Sequence, residues 1–147
     1  MARTVHGELP VAFHYTPGLG NTAFFEALRD RGVLLGSRCE ACDYTYLPAR
    51  VFCERCFAEL QADTECGPGG TLESFTVCHV DIDGEPLDEP STLGLIKLDH
   101  ADTVLMHRLI GASSWEIGTR VDAVSKAART GSILDIEGFA SLGNQPI

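Results

Sequence analysis

Apolar residues follow two different spacings along the chain, and the change in spacing separates a short helix from a series of strands. Phe24, Phe25 and Leu28 recur at helical spacing, with charged residues on the opposite side. This pattern predicts one helix, which Asn21 or Thr22 could cap. A helix of about ten residues is not stable alone in water. Its apolar side is therefore expected to pack either on the chain's own core or on a partner.

From Gly70 onward the apolar positions alternate with polar ones, which is typical of strands that bury one face. The segment Asp81–Pro90 interrupts this alternation with five carboxylates and is predicted to be a solvated acidic loop. Five short, closely connected strands predict a small Greek-key barrel. These strands are predicted at Thr71–Val80, Thr92–Leu98, Thr103–Ile110, Thr119–Ala127 and Ser132–Phe139.

Four of the six cysteines form two CxxC pairs, Cys39 with Cys42 and Cys53 with Cys56. Each tight turn can direct two sulfurs at one ion, and two facing turns supply the tetrahedral thiolate set that zinc accepts. Iron is the less favoured alternative for four sulfur ligands. A closed four-sulfur shell has no open position for water, so the predicted site is structural. The two remaining cysteines, predicted to be ordinary thiols, are Cys66 and Cys78.

The segments before the two CxxC pairs complete this plan. Val33–Arg38 reads as a strand that runs into the first pair, and Val51 and Phe52 lead into the second. A strand followed by a CxxC turn, repeated once, is typical of a zinc ribbon. So small a unit gains much of its folding free energy from the metal.

The overall charge limits the possible partners. The chain has 21 acidic and 11 basic residues, which give a net charge of −10. Affinity for nucleic-acid backbones comes mainly from Lys and Arg, so the charge argues against this function. The alternative of a module for single-stranded nucleic acid stays open, because barrels of this kind can stack bases on aromatic rings. The rings available for stacking would be Phe75, Trp115 and Phe139.

Neither a catalytic group nor a targeting segment is predicted. The five histidines share no metal or triad spacing. No apolar run reaches the length that crosses a bilayer, and the first residues lack the apolar core of a signal peptide. The expected location is the cytoplasm, without membrane insertion, where reduced thiols favour metal binding over disulfides.

Three motifs in this order resemble the DUF35 family. They are the Phe24-Phe25-Glu26-Ala27-Leu28 helix, the two CxxC pairs around Pro48-Ala49-Arg50, and a Gly-Thr-Leu-Glu-Ser-Phe-Thr-Val strand at Gly70–Val77. The resemblance implies a mainly β fold in which an N-terminal helix and a rubredoxin-like zinc ribbon precede a five-stranded OB-fold barrel. The expected divisions are an irregular leader over 1–21, the helix and ribbon over 22–66, the OB-fold over 67–140 and a tail over 141–147.

The resemblance also implies a function. DUF35 proteins accompany enzymes of acyl-CoA metabolism, so the chain would be a non-catalytic accessory subunit of a thiolase-like aldolase, a thiolase or a MaoC-type enoyl-CoA hydratase. It would help to assemble the complex or position acyl-CoA, in lipid or steroid side-chain breakdown. The four CxxC cysteines would hold a structural Zn²⁺. An iron-containing electron carrier is a further alternative. The residues expected to contact the partner or acyl-CoA are Phe13, Tyr15, Phe24, Phe25 and Leu28.

Overall fold

The computed structural model describes Gly7 and residues 12–142 of the chain. It contains one helix, a three-stranded ribbon sheet and a closed five-stranded barrel. The mainly β fold expected from the sequence is confirmed. Residues 1–6 and 8–11 of the predicted leader, and residues 143–147 of the predicted tail, lie outside the described residues.

The helix, α1, spans Gly18–Arg31 and therefore begins earlier than the predicted caps at Asn21 and Thr22. Its N-cap is Pro17, which provides no side-chain hydrogen bond. The first turn instead lies directly against the ribbon, because a Cβ at Gly20 would overlap the Ala49 carbonyl oxygen. Tertiary packing rather than a polar cap therefore determines where the helix starts.

The two adjacent phenylalanines of α1 are buried to different extents. Phe24 and Leu28 are 0% exposed and belong to the main core, and Phe25 packs partly buried against the same cluster. Two roles were predicted for the apolar side of the helix, packing on the chain's own core or on a partner. Phe24 and Leu28 pack on the chain's own core. Neither side chain presents a surface to a partner in this structure.

The ribbon sheet consists of β1 (Leu34–Cys39), β2 (Tyr44–Tyr46) and β3 (Thr64–Cys66). The strands are antiparallel in the order β2-β1-β3. The predicted strand before the second CxxC pair is reduced to a single bridge between Phe52 and Glu59. The second cysteine turn is therefore held mainly by its own loop hydrogen bonds.

The barrel is formed by five strands in the order β4-β5-β6-β8-β7, closed by pairing of β7 with β4. All neighbours are antiparallel except β6 and β8, which are parallel. This is the strand arrangement of an OB-fold. The strands span β4 (Gly69–Val80), β5 (Pro86–Leu98), β6 (Val104–Ile110), β7 (Arg120–Ser125) and β8 (Ile136–Ser141).

The barrel strands differ from the prediction at several ends, and the starts of β5 and β8 differ most. Strand β5 begins at Pro86, inside the segment that was predicted to be an acidic loop. The last strand begins only at Ile136, because Ile133–Asp135 forms a 3₁₀ turn. In that turn the buried Asp135 carboxylate accepts hydrogen bonds from backbone N–H groups, the nearest being Gly131 N at 2.7 Å. These hydrogen bonds from the backbone to a side chain stabilise the turn, so Ile133–Asp135 does not continue the strand.

The main hydrophobic core extends from the ribbon into the barrel, a second small cluster lies at the four-cysteine end of the ribbon, and hydrogen bonds join ribbon and barrel. Thr45 N donates to the Asp102 carboxylate at 2.8 Å, and Asp102 N donates to Thr45 O at 2.9 Å. Beside them, Leu47 N donates to Thr103 Oγ1 at 2.8 Å. The main hydrophobic cluster continues from α1 through β1 into the barrel. The four-cysteine end of the ribbon is therefore held in a defined position on the barrel.

Within residues 12–142, α1 is too short and too polar to cross a membrane.

Candidate metal centre

The four CxxC cysteines converge on one point. Their Sγ atoms all lie within 4.8 Å of one another. Two of the edges of this cluster are 3.6 Å, between Cys39 and Cys56, and 3.8 Å, between Cys42 and Cys53. Cys39 and Cys53 are buried, Cys42 is half-buried and Cys56 is exposed. The metal-ligand set expected from the sequence is thus assembled at the end of the ribbon.

The two cysteine turns have matching backbone geometry. Asp43 and Phe57 each lie four positions after the first cysteine of their pair, and each has a left-handed backbone, with φ of 48° and 60°. In the second turn, Phe57 N donates to Cys53 O at 3.0 Å and Cys53 N donates to Ala58 O at 2.9 Å. The left-handed residue reverses the chain directly after each pair. Both sulfurs of a pair therefore stay on the same side of their turn.

The sulfur cluster fits a tetrahedral metal ion. A Zn–S bond of about 2.3 Å places tetrahedral sulfurs about 3.8 Å apart, close to the measured edges of 3.6 and 3.8 Å. Four soft sulfur donors suit zinc or iron and disfavour magnesium and calcium. Cys39, Cys42, Cys53 and Cys56 would therefore hold the ion, and zinc is the metal that we expect.

The thiols of the metal-free chain differ in acidity. The Tyr46 hydroxyl donates to Cys53 Sγ at 3.3 Å and lowers the pKa of that thiol to about 6. The neighbouring Cys56 thiol raises the pKa of Cys42 to about 12. Burial raises the pKa of Cys39 as well. Cys53 is therefore the first of these three groups to ionise and to offer a thiolate to a metal.

Aromatic and cationic side chains surround the cluster. The Arg55 guanidinium lies 3.9 Å from the ring centroid of Tyr44, and that of Arg50 lies 5.0 Å from the ring of Tyr46. Four thiolates around one divalent ion leave about two negative charges. With an ion bound, the nearby guanidinium groups would offset part of that charge, although both of them are close to solvent and are screened by it.

The other two cysteines lie outside this cluster. The Cys66 thiol is buried and donates weakly to Thr64 O and His100 O at 3.7 and 3.6 Å. Burial raises the pKa of this thiol to about 11, so Cys66 is an unreactive core residue. Cys78 lies half-buried on β4, remote in sequence from either CxxC turn.

The predicted contact residues separate into an exposed and a buried group. Phe13 and Tyr15 are 67% and 84% exposed, and their rings stack with centroids 6.1 Å apart. Phe24 and Phe25 meet edge to face inside the helix packing, at 5.2 Å. Phe13 and Tyr15 are therefore open to another molecule, and Phe25 keeps part of its surface exposed, whereas Phe24 has none. The contacts expected of these residues stay predictions.

A further apolar surface was missed by sequence reasoning. Leu19 and Phe52 are 81% and 57% exposed and line, with Val51, a groove of about 290 Å³ between the start of α1 and the ribbon. We call this surface the helix–ribbon groove. Leu60 and Ala62 complete its apolar lining. These residues come from three separate segments without any shared periodicity, so no sequence pattern connected them.

Comparisons with known proteins match this architecture. The family model described as the rubredoxin-like zinc ribbon domain of ChsH2 matches residues 27–61, and the model of the ChsH2 C-terminal OB-fold domain matches residues 63–126. A crystal structure of a DUF35 protein of unknown function from Sulfolobus solfataricus is 26% identical, with a TM-score of 0.61. The match covers 74% of this chain and 77% of that chain. The chain belongs to the DUF35 family.

A second DUF35 structure is similar over more of the chain. It is that of the Ltp2–ChsH2(DUF35) aldolase, with 25% identity and a TM-score of 0.64. The match covers 84% of this DUF35 chain and 95% of that chain. A comparison with curated protein sequences finds no match.

Proposed function

We propose that this DUF35 chain is a non-catalytic accessory subunit that holds a structural zinc ion and partners an enzyme of CoA-thioester metabolism. A thiolase-like aldolase is the partner that we favour, because the similar Ltp2–ChsH2(DUF35) structure is described as an aldolase. A MaoC-type hydratase partner, a direct contact with acyl-CoA and a role in lipid or steroid breakdown stay predictions from the family resemblance.

The helix–ribbon groove is the observation that carries this proposal. Leu19 and Phe52 leave most of their apolar surface in water, and large apolar side chains exposed together are typical of sites that bind another protein. The backbone below them is rigid, because Gly20 packs against Ala49 without room for a side chain. A preformed surface of this kind loses little conformational entropy when a partner binds.

The aromatic pair before the helix extends this candidate surface. Phe13 and Tyr15 lie just before Pro17, the N-cap of α1, and Leu19 and Gly20 in the first turn of this helix line the groove. Aromatic side chains contribute strongly to binding energy at protein interfaces. We therefore assign Phe13 and Tyr15 to partner binding, together with Leu19, Val51 and Phe52. Phe24 and Leu28 support this surface from within the core.

The metal centre has a structural role in this proposal. Its four sulfurs occupy every position of a tetrahedral shell, which leaves no site at which water could be activated. It joins the two cysteine turns at the ribbon end, and the second turn leads back to the groove through the Phe52–Glu59 bridge. The ion would thereby stabilise the backbone that presents Phe52.

The burial of the aromatic rings argues against the alternative that the chain binds single-stranded nucleic acid. Phe139 is fully buried in the barrel core and cannot stack on a base, and Phe75 and Trp115 are partly buried against that core.

The alternative of an iron-containing electron carrier would use the same four sulfurs as zinc. Elemental analysis of the purified protein separates zinc from iron directly.

Co-expression with the CoA-enzyme genes that neighbour this gene in its host tests the proposed function. Affinity purification should recover one enzyme, and the mass of the complex gives its stoichiometry. Leu19→Asp and Phe52→Asp should each abolish recovery, because a buried unpaired carboxylate is costly. Ile117→Asp is the matched control, since Ile117 is an equally exposed apolar residue on the β6–β7 connection. Failure to recover any CoA enzyme, or equal recovery by all three variants, would contradict the proposal.

A further inference from the structure

The outer surface of β5 and β6 combines apolar side chains with cations in a regular arrangement. Three cross-strand pairs face outward: Leu93 with Arg108, Leu95 with Met106, and Lys97 with Val104. We call these six residues the β5–β6 face. The exposed Leu95–Met106 pair is its apolar centre, and the two cations lie at opposite corners. Paired outward apolar residues are unusual on a solvated sheet face, where polar residues normally alternate outward.

A groove continues this face toward the end of the barrel. Met106, Arg108, Leu134 and Lys126 line it, and its volume is about 510 Å³. Met106 and Leu134 are 64% and 66% exposed. None of the residues that line this groove is acidic. The only two lysines of the chain, Lys97 and Lys126, therefore lie on the β5–β6 face and at its groove.

The cations of this surface lack the carboxylate partners that five arginines have elsewhere in the described part of the protein. Within residues 12–142, Lys97 and Lys126 form no ion pair, and Arg108 donates only to the Glu137 carbonyl oxygen, at 3.4 Å. Acidic side chains outnumber basic ones by almost two to one in this chain, so three unpaired cations on one apolar surface are notable. The arginines that pair with carboxylates are Arg29, Arg31, Arg38, Arg50 and Arg120.

We propose that the β5–β6 face and its groove are a second docking surface, which binds an acidic segment with apolar side chains on the partner enzyme. This inference rests on the proposed function and adds the chemistry of the partner surface. Carboxylates of the segment would pair with Lys97, Arg108 and Lys126, while its apolar side chains cover Leu95 and Met106. Methionine adapts its shape readily at interfaces, and complementary charges at a rim fix the register of docking.

The structure favours a protein segment over other anionic apolar occupants. Leu95 and Met106 lie exposed on an open sheet face, which does not enclose an acyl chain in the way that a ligand pocket does. A negatively charged lipid surface would repel a protein of net charge −10. A second copy of this chain could bind the β5–β6 face through its own Asp81–Glu89 hairpin, which carries five carboxylates. Two chains that each carry −10 nevertheless repel one another at long range.

The experiment compares two variants of equal net charge in the complex with the enzyme. Lys97→Gln/Lys126→Gln removes two cations from this surface. Ser113→Glu/Ser114→Glu adds two anions in the exposed β6–β7 connection, and both changes bring the net charge from −10 to −12. Association with the purified enzyme is measured at several salt concentrations. We expect the lysine variant to associate about tenfold more slowly at low salt and with a weaker salt dependence. The serine variant should keep the wild-type salt dependence.

The other possible results of this experiment separate a failure of the docking inference from a failure of the proposed function. If wild-type chain binds the enzyme and the lysine variant binds with the same rate and salt dependence, this inference is wrong and the proposed function stands. If wild-type chain binds no enzyme, both fail. If the isolated chain is a dimer that the lysine substitutions dissociate, or binds vesicles of anionic lipid through these lysines, the occupant is a second copy or a membrane and the inference is overturned.

Discussion

The Tyr46 hydroxyl lies 3.3 Å from Cys53 Sγ and 3.3 Å from Glu54 N, with both Tyr46 and Cys53 only 1% exposed. The buried Tyr46 hydroxyl thus accepts a hydrogen bond from Glu54 N–H in the second cysteine turn. It donates one to Cys53 Sγ, the first sulfur of that turn. The donated hydrogen bond stabilises the Cys53 thiolate, and the thiolate in turn raises the pKa of Tyr46 to about 12. Outer hydrogen bonds of this kind orient metal ligands and tune their affinity.

Tyr46→Phe should weaken metal binding without removing a ligand. Loss of the donor raises the pKa of Cys53 from about 6 toward its ordinary value, so at pH 7 the metal must displace a proton that wild-type chain has already lost. We expect a loss of about 10- to 100-fold in zinc affinity, measured by competition with a coloured chelator. Tyr44→Phe is the control, because the Tyr44 hydroxyl contacts Asp102 O rather than a sulfur. Equal affinities in the two variants would contradict this role of Tyr46.

Cys39→Ser should abolish both metal binding and the folded ribbon. Three remaining sulfurs hold the ion poorly, and metal binding supplies much of the folding free energy in so small a unit. The matched control is Cys78→Ser, because Cys78 is half-buried and lies outside the sulfur cluster. Zinc content per chain and thermal unfolding are the measurements. A zinc-free Cys39→Ser protein that keeps the wild-type melting temperature would show that the ribbon folds without metal.

Local chemistry explains which features could be predicted from the sequence. The CxxC spacing specifies where two sulfurs of one turn point, whatever surrounds them, so the four cysteines that converge in the structure could be predicted. Alternation along Thr92–Leu98 depends only on one face being buried, so all five barrel strands were predicted, with the largest errors at the starts of β5 and β8. Gly32 ends α1 with a left-handed φ of 69°, a conformation that glycine adopts readily.

Features that depend on contacts between distant segments could not be predicted in this way. The start of α1 depends on Gly20 approaching Ala49, and the difference between Phe24 and Phe25 depends on how the helix lies on β1. The sequence shows two adjacent phenylalanines without showing which one faces the core. The β5–β6 face likewise exists only because Leu95 and Met106 are in register.

Phe24→Ala should destabilise the protein itself, whereas Tyr15→Ala should affect only binding. Phe24 is fully buried in the main core, and removing such a ring costs about 3–5 kcal/mol of unfolding free energy. Tyr15 is 84% exposed, so its removal leaves stability close to wild type. Urea unfolding and enzyme recovery are measured on both variants. A Tyr15→Ala chain that recovers the enzyme as well as wild type would remove Tyr15 from the binding surface.

Asp135→Asn should destabilise the fold by an amount that depends on pH. Burial alone would raise the pKa of this carboxyl, but the N–H groups of Ser132, Thr130 and Gly131 donate to it and together hold its pKa below the ordinary value. A lowered pKa in the folded state means that the carboxylate stabilises the fold fully above the unfolded pKa of about 3.9. The stabilisation is lost as pH falls through the folded value.

The melting temperature of Asp135→Asn should therefore lie several degrees below wild type at pH 7, with a difference that shrinks below about pH 4. Release of the metal at low pH affects both proteins equally, so the difference between them isolates Asp135. Asp83→Asn is the control, since Asp83 is an exposed residue of the β4–β5 hairpin. A difference that stays constant down to pH 3 would contradict the assigned hydrogen-bonded carboxylate.

Gly20→Ala distinguishes the packing of α1 from its intrinsic helix propensity, because the two effects have opposite signs. At an exposed helix position the change would stabilise the helix by about 1 kcal/mol. At Gly20 the new Cβ would overlap the Ala49 carbonyl oxygen and lie 3.1 Å from Arg50 Cα. Both neighbours are backbone atoms and cannot rotate away, so the first turn of the helix must move off the ribbon. We expect a net loss of about 1–3 kcal/mol, as for other overpacked sites.

Displacement of the first turn also separates Leu19 from Val51 and Phe52, so Gly20→Ala should weaken enzyme recovery while zinc content stays at the wild-type level. Glu26→Ala is the matched control, because Glu26 is an exposed residue of the same helix and its change to alanine meets no backbone. Urea unfolding of the zinc-loaded proteins gives the stability difference. A Gly20→Ala protein that is more stable than wild type would show that the first turn does not lie on the ribbon, and the helix–ribbon groove would then lose its rigid backbone.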